Sequence, residues 1–152
     1  MDESPELDRI LGLPQAPEVA GLSPVLLDHA RNPRNVGGLA DADGFATVLG
    51  ACGDSMDMWV KVKDGMVSRI AFWTDGCGTT IACGSAATEM ARGKTIGEAS
   101  RLTAEDIARA LGGLPEEHVH CAGLAASTLK KAIFDYLNTR DEPWKRAYRA
   151  KK

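Results

Sequence analysis

Hydrophobic and polar positions keep one rhythm up to about Trp73 and another after it. Met56, Met58, Val60 and Val62 alternate with Asp57, Trp59, Lys61 and Lys63, the period-two pattern of a strand with one wet face. Phe45–Leu49 and Met66–Trp73 are the other strand candidates, and Asp64-Gly65 joins the second strand to the third as a tight hairpin. Beyond Trp73 the spacing turns helical. Thr79–Arg92 reads as a small-residue helix closed by Gly93, and Thr95 with Glu98 opens a short helix ending at Ser100. Thr103 with Asp106 caps another, with Leu102 placed to staple against Ile107. A last helix is expected from Ala122 to Leu137, with Leu129, Ile133 and Leu137 facing the core and Asn138 after it. Ahead of the strands, Ser23-Pro24 caps a short helix that stops before Pro33, and a loop follows from Asn32 to Gly38. Strands followed by helices imply an α+β fold, a three-stranded antiparallel sheet packed against several helices.

The domain proper is expected over residues 23–138. Residues 1–22, with Pro5, Pro14, Pro17 and an acid excess, read as a flexible acidic extension, and 139–152 as a basic tail. No internal repeat or low-complexity tract interrupts this plan. The chain has 152 residues, 44% of them hydrophobic, which suits one globular domain with a real core. A net charge of -3 without a basic run gives no electrostatic ground for a nucleic-acid partner. The acidic start Met1-Asp2-Glu3-Ser4 is unlike a targeting peptide, and no apolar run approaches membrane-spanning length. A soluble, cytoplasmic protein is expected. In that setting four cysteines point to metal or sulfur chemistry rather than to disulfides.

Three of the cysteines fall at element boundaries. Cys52 lies in Ala51-Cys52-Gly53-Asp54, where Gly53 permits a tight turn that brings a thiolate and a carboxylate to one spot. Cys77 lies in Gly76-Cys77-Gly78 just before a helix, and Cys121 follows His118-Val119-His120 just before the last one. A helix N-terminus favours the thiolate, the form that binds metal or attacks sulfur. A lone cysteine is most often a packed core residue, but glycine-flanked positions at hairpin and helix ends are surface features, so the trio is expected at one exposed site. Cys83, on a stripe with Ala86, Ala87 and Met90, is expected to be a packed thiol. His120 shares a metal with Cys121 only if the chain turns sharply there, and the helix start supplies the turn. His118 is expected to be solvated, and His29 structural or partner-facing. Thiolates with an imidazole suit zinc or iron–sulfur sites, and the hard carboxylate of Asp54 would loosen the grip of such a set.

From Ser23 to Leu137 the chain resembles the IscU and NifU N-terminal family of iron–sulfur assembly scaffolds. The match is carried by Leu27-Asp28-His29, Asn32-Pro33-Arg34-Asn35-Val36-Gly37, Ala51-Cys52-Gly53-Asp54, Gly76-Cys77-Gly78 with Ile81-Ala82, Ala87-Thr88-Glu89, Gly93-Lys94-Thr95 and Leu114-Pro115 leading to His120-Cys121. The resemblance implies a scaffold, not a turnover enzyme, that receives sulfur from a cysteine desulfurase, builds a [2Fe-2S] cluster and passes it to acceptor proteins. By the same resemblance Cys52, Cys77 and Cys121 are cysteine ligands, Asp54 labilises the cluster, His120 is the family's histidine and Cys121 accepts the persulfide. Zinc is implied as an alternative occupant of the same residues. Where the family carries the chaperone-recruiting Leu-Pro-Pro-Val-Lys, this chain reads Leu114-Pro115-Glu116-Glu117-His118, so the resemblance brings no chaperone interaction with it.

The nearest rival is a zinc-bound sulfur relay of the SufU kind, against which His120 counts, because SufU-like members lack that histidine. A Cys–His thiol hydrolase would need an oriented imidazole and a substrate cleft, and a plain zinc-stabilised module would unfold when its metal is removed.

Overall fold

A computed structural model describes residues 22–51 and 53–140; the expected acidic extension up to Gly21, Cys52 and the tail from 141 lie outside the described residues. The elements run α1 (Pro24–Arg31), β1 (Gly44–Leu49), β2 (Ser55–Lys63), β3 (Met66–Thr74), α2 (Gly78–Ala91), α3 (Ile96–Ser100), α4 (Ala104–Ala110), a 3-10 turn (Glu116–His118) and α5 (Val119–Thr139). The expected α+β architecture is present. No helix among the described residues is long and apolar enough to cross a membrane.

The sheet is antiparallel in the order β1-β2-β3. Asp64 and Gly65 turn the second hairpin with φ of 54° and 74°, the left-handed pair that a two-residue loop requires. Alternation in β2 works as expected: Met56, Met58 and Val60 are fully buried while Asp57, Trp59 and Lys61 point the other way. A register shift at Lys61/Val62 interrupts the pattern, and Val62 is only partly buried. α2 and α5 cover the inner face. With Phe72, Ile107, Leu111, Leu129 and Ile133 they close one core, each such large side chain contributing about 1.5–3 kcal/mol relative to exposure. α2 lies close to the sheet because its buried positions are small: Ala82, Cys83, Gly84, Ala86 and Ala87.

Capping follows the sequence. Ser23 Oγ accepts from the Leu26 N–H at 3.0 Å and donates to Leu111 O, which ties α1 to the end of α4. Thr95/Glu98 and Thr103/Asp106 form reciprocal capping boxes on α3 and α4, and Leu102 and Ile107 are both buried in the core.

Three expectations need correction. α5 begins at Val119 rather than Ala122 and runs through Asn138 to a buried Thr139. Leu137 is 36% exposed instead of facing the core, because four-residue steps advance by more than one 3.6-residue turn and drift off the face that Leu129 and Ile133 occupy. The segment after α1 is more than a loop: Val36 bridges to Phe72 in parallel, Gly37 N–H donates to Phe72 O and Phe72 N–H donates to Asn35 O, both at 2.9 Å. At the other end of β3, Val67 N–H donates to Lys94 O at 2.9 Å and Gly93 N–H to Val67 O at 2.8 Å.

Candidate functional site

Three connections bring Asp54, Cys77, His120 and Cys121 to one end of the sheet. The first is the loop from β1 to β2. Gly50 N–H donates to Asp54 O at 2.6 Å, Gly53 N–H donates to Gly50 O at 3.1 Å, and Gly53 takes φ +89°, closing the tight turn expected there. The second is the junction of β3 with α2, bound to the first by Ser55 N–H donating to Asp75 Oδ1 at 2.7 Å and Thr74 Oγ1 donating to Ser55 O at 2.6 Å. The third is the first turn of α5. These hydrogen bonds fix where the first two connections leave the sheet.

Cys77 is the N-cap of α2, as the sequence implies. Burial pushes its thiol up, but the N–H groups of Thr80 and Thr79 and the Thr80 hydroxyl outweigh it and leave the thiol below its ordinary value of 9.0. Cys77 is exposed. Cys121 is not: at 1% exposure it lies inside the first turn of α5, so the expectation of a wholly exposed thiol cluster is corrected. The helical turn does bring its neighbour round, with His120 Nε2 at 3.6 Å from Cys121 Sγ. Asp54, Cys77, Thr80, His118, His120 and Cys121 line a cleft of about 420 Å³. His118 is half-buried at its rim.

The residue that sequence reasoning missed is Thr80. Its fully buried hydroxyl donates to Asp54 Oδ2 at 3.0 Å or to Cys121 Sγ at 3.3 Å, and lies 3.7 Å from Cys77 Sγ. Its only sequence signal is its position three residues after Cys77, one helical turn below that thiol. Among the described residues no group of three or more His, Cys, Asp or Glu side chains is arranged to hold a metal ion; the donors are gathered around a hydroxyl instead.

Two residues remain outside the cleft. Cys83 is a packed thiol, as expected: burial pushes it well up, with Cys121 and Cys77 adding to the effect. His29 Nδ1 lies 2.7 Å from Ser85 Oγ, which also accepts the Arg34 N–H at 2.9 Å, so the imidazole helps pin the segment after α1 to α2.

Comparison with known proteins agrees with this architecture. The family model of the NifU-like N-terminal domain matches residues 22–143. The iron–sulfur cluster assembly scaffold protein IscU 1 of Archaeoglobus fulgidus is 53% identical over 112 residues, 73% of this chain and 73% of its own. The scaffold protein IscU of Aquifex aeolicus is 47% identical over 115 residues, 74% of this chain and 73% of its own. The crystal structure of a nitrogen-fixing NifU-like protein (N-terminal) from Brucella abortus superposes with a TM-score of 0.59 over 76% of this chain and 94% of that one; at 22% identity it shows the fold alone. With the family model spanning every element from α1 to α5, the chain belongs to the NifU-like N-terminal domain family.

Proposed function

We propose that this chain is an iron–sulfur assembly scaffold on which a [2Fe-2S] cluster is built from iron and from sulfur supplied by a cysteine desulfurase, then passed to acceptor proteins. The cluster is cargo, and the chain is a sulfur acceptor and platform rather than a turnover enzyme. The observation that carries this reading is the convergence of Asp54, Cys77, His120 and Cys121 on one cleft, in a chain whose relatives are named as IscU scaffolds.

In this reading Cys52, Cys77 and Cys121 supply thiolate ligands, with His120 beside Cys121. Asp54 adds a hard oxygen donor that weakens the hold of an otherwise soft set and lets the cargo leave. Cys121 takes the sulfur: its thiolate attacks the outer sulfur of the desulfurase's persulfide, and the desulfurase cysteine departs as a thiolate. Because Cys121 is buried, that step requires the residues packed around it to open, whereas Cys77 is exposed. Zinc suits the same sulfur and nitrogen donors.

Anaerobic incubation with a desulfurase, free cysteine, ferrous iron and a dithiol reductant, which takes the persulfide sulfur to sulfide, tests the reading. The expected result is a coloured protein holding iron and sulfide in equal amounts and transferring both to an apo-ferredoxin. A colourless chain with one tightly held zinc, passing on sulfur alone, would replace the scaffold with the zinc-bound relay.

A further inference from the structure

A buried threonine in a helix ordinarily returns its hydroxyl to the carbonyl four residues back, as Thr88 does to Gly84 O at 2.9 Å and Thr128 to Leu124 O at 2.7 Å. Thr80 does not. It stands in the first turn of α2, and among the described residues its hydroxyl meets only Asp54, Cys121 and Cys77. A hydroxyl has one proton to donate and two lone pairs. It therefore serves one of Asp54, Cys121 or a Cys77 thiolate at any moment, and can accept from Cys77 when that group is a thiol. The dependence runs both ways: Asp54 Oδ2 takes its hydrogen bond from Thr80, while Asp54 Oδ1 is buried with no partner among the described residues. Remove the hydroxyl and neither carboxylate oxygen has a described donor.

We propose that Thr80 is the positioning residue of this site, its hydroxyl fixing where Asp54 stands beside Cys121 and Cys77 while the cleft is empty and turning its proton among them as metal or cluster is bound. The proposal rests on the scaffold reading above. It gives a function to a side chain that touches three of the five expected site residues and belongs to none of the motifs that carry the family resemblance.

The test uses the full empty chain with Zn²⁺ alone as probe, titrated against a chromophoric chelator. Thr80→Val keeps the side chain's shape and deletes the hydroxyl. Its Zn²⁺ affinity is expected to fall about tenfold or more, the range for losing an outer hydrogen-bond partner of a ligand. Thr80→Ser should recover most of that loss, and Thr80→Val should cost far less in an Asp54→Ala background, since the two residues act as one unit. Equal affinity in Thr80→Val and the parent, or a loss that serine does not recover, would overturn the proposal. If Thr80→Val fails to fold by circular dichroism, Thr80→Ala against Thr80→Ser makes the same comparison. A parent that assembles no cluster while Thr80→Val still weakens Zn²⁺ binding defeats the scaffold reading only; a parent that assembles one while Thr80→Val binds Zn²⁺ unchanged defeats the role of Thr80 only.

Discussion

Gly76 and Asp54 are in contact with no space between them for a side chain: a Cβ on Gly76 would stand 2.6 Å from Asp54 Oδ2 and 2.7 Å from Thr80 Cβ. Gly76→Ala therefore has to push the carboxylate away from the Thr80 hydroxyl or shift the first turn of α2. Such overpacking costs about 1–3 kcal/mol, so the variant should fold with a lower midpoint in thermal unfolding. Cluster transfer to an apo-ferredoxin should slow as well, and a transfer rate equal to the parent's would show that Asp54 needs no fixed position.

In the proposed ligand set Asp54 is the hard anionic donor, and Asp54→Ala removes it. The variant is expected to assemble cluster and release it more slowly, read as the rate at which an apo-ferredoxin gains its visible spectrum. Equal rates in variant and parent would end the labilising role of the carboxylate.

Alkylation with iodoacetamide should rank the three cysteines among the described residues of the empty chain. Cys77, exposed and depressed below 9.0, reacts first; its rate against pH should turn over below that value, because its donors stabilise the thiolate and the reactive form persists to lower pH. Cys121 follows slowly, limited by its burial, and Cys83 comes last, since burial both hides it and keeps it protonated. Peptide mass spectrometry reads the order, and faster labelling of Cys83 than of Cys77 would contradict the packing described for α2.

Gly84 faces the ring of Phe72, and an added Cβ would lie 2.5 Å from both Cδ2 and Cε2. Alanine is the better helix former by about 0.5–1 kcal/mol, but overpacking a closed core costs about 1–3 kcal/mol, so the clash wins. Gly84→Ala should lower the urea midpoint, and combining it with Phe72→Leu should restore part of the loss. A Gly84→Ala midpoint at or above the parent's would mean that α2 can back away from the sheet freely.

Much of this fold is legible in the sequence because its signals are local. The period-two run from Met56 to Val62 marks a sheet with one buried face, and Thr95 with Glu98 and Thr103 with Asp106 announce helix starts that the structure reproduces. The site is less legible, since spacing reports which face a residue is on but not what packs over it. Cys121 reads as an exposed boundary residue because the 3-10 turn that lets α5 begin two residues before it leaves no pattern. Thr80 passes for one more small residue in a small-residue helix; its importance comes from Asp54 and Cys121, which lie 26 and 41 positions away. Leu137 shows the opposite failure, a regular spacing carried one step too far.

The pairing of β3 with Asn35 and Gly37 at Phe72, and with Gly93 and Lys94 at Val67, occupies backbone donors and acceptors that would otherwise lie bare along the rim of the sheet. An incoming extended peptide finds little there to zip onto. Along β3 that blunting removes a template for edge-to-edge clumping, so a visitor on this side has to recognise shape and side chains rather than bare backbone.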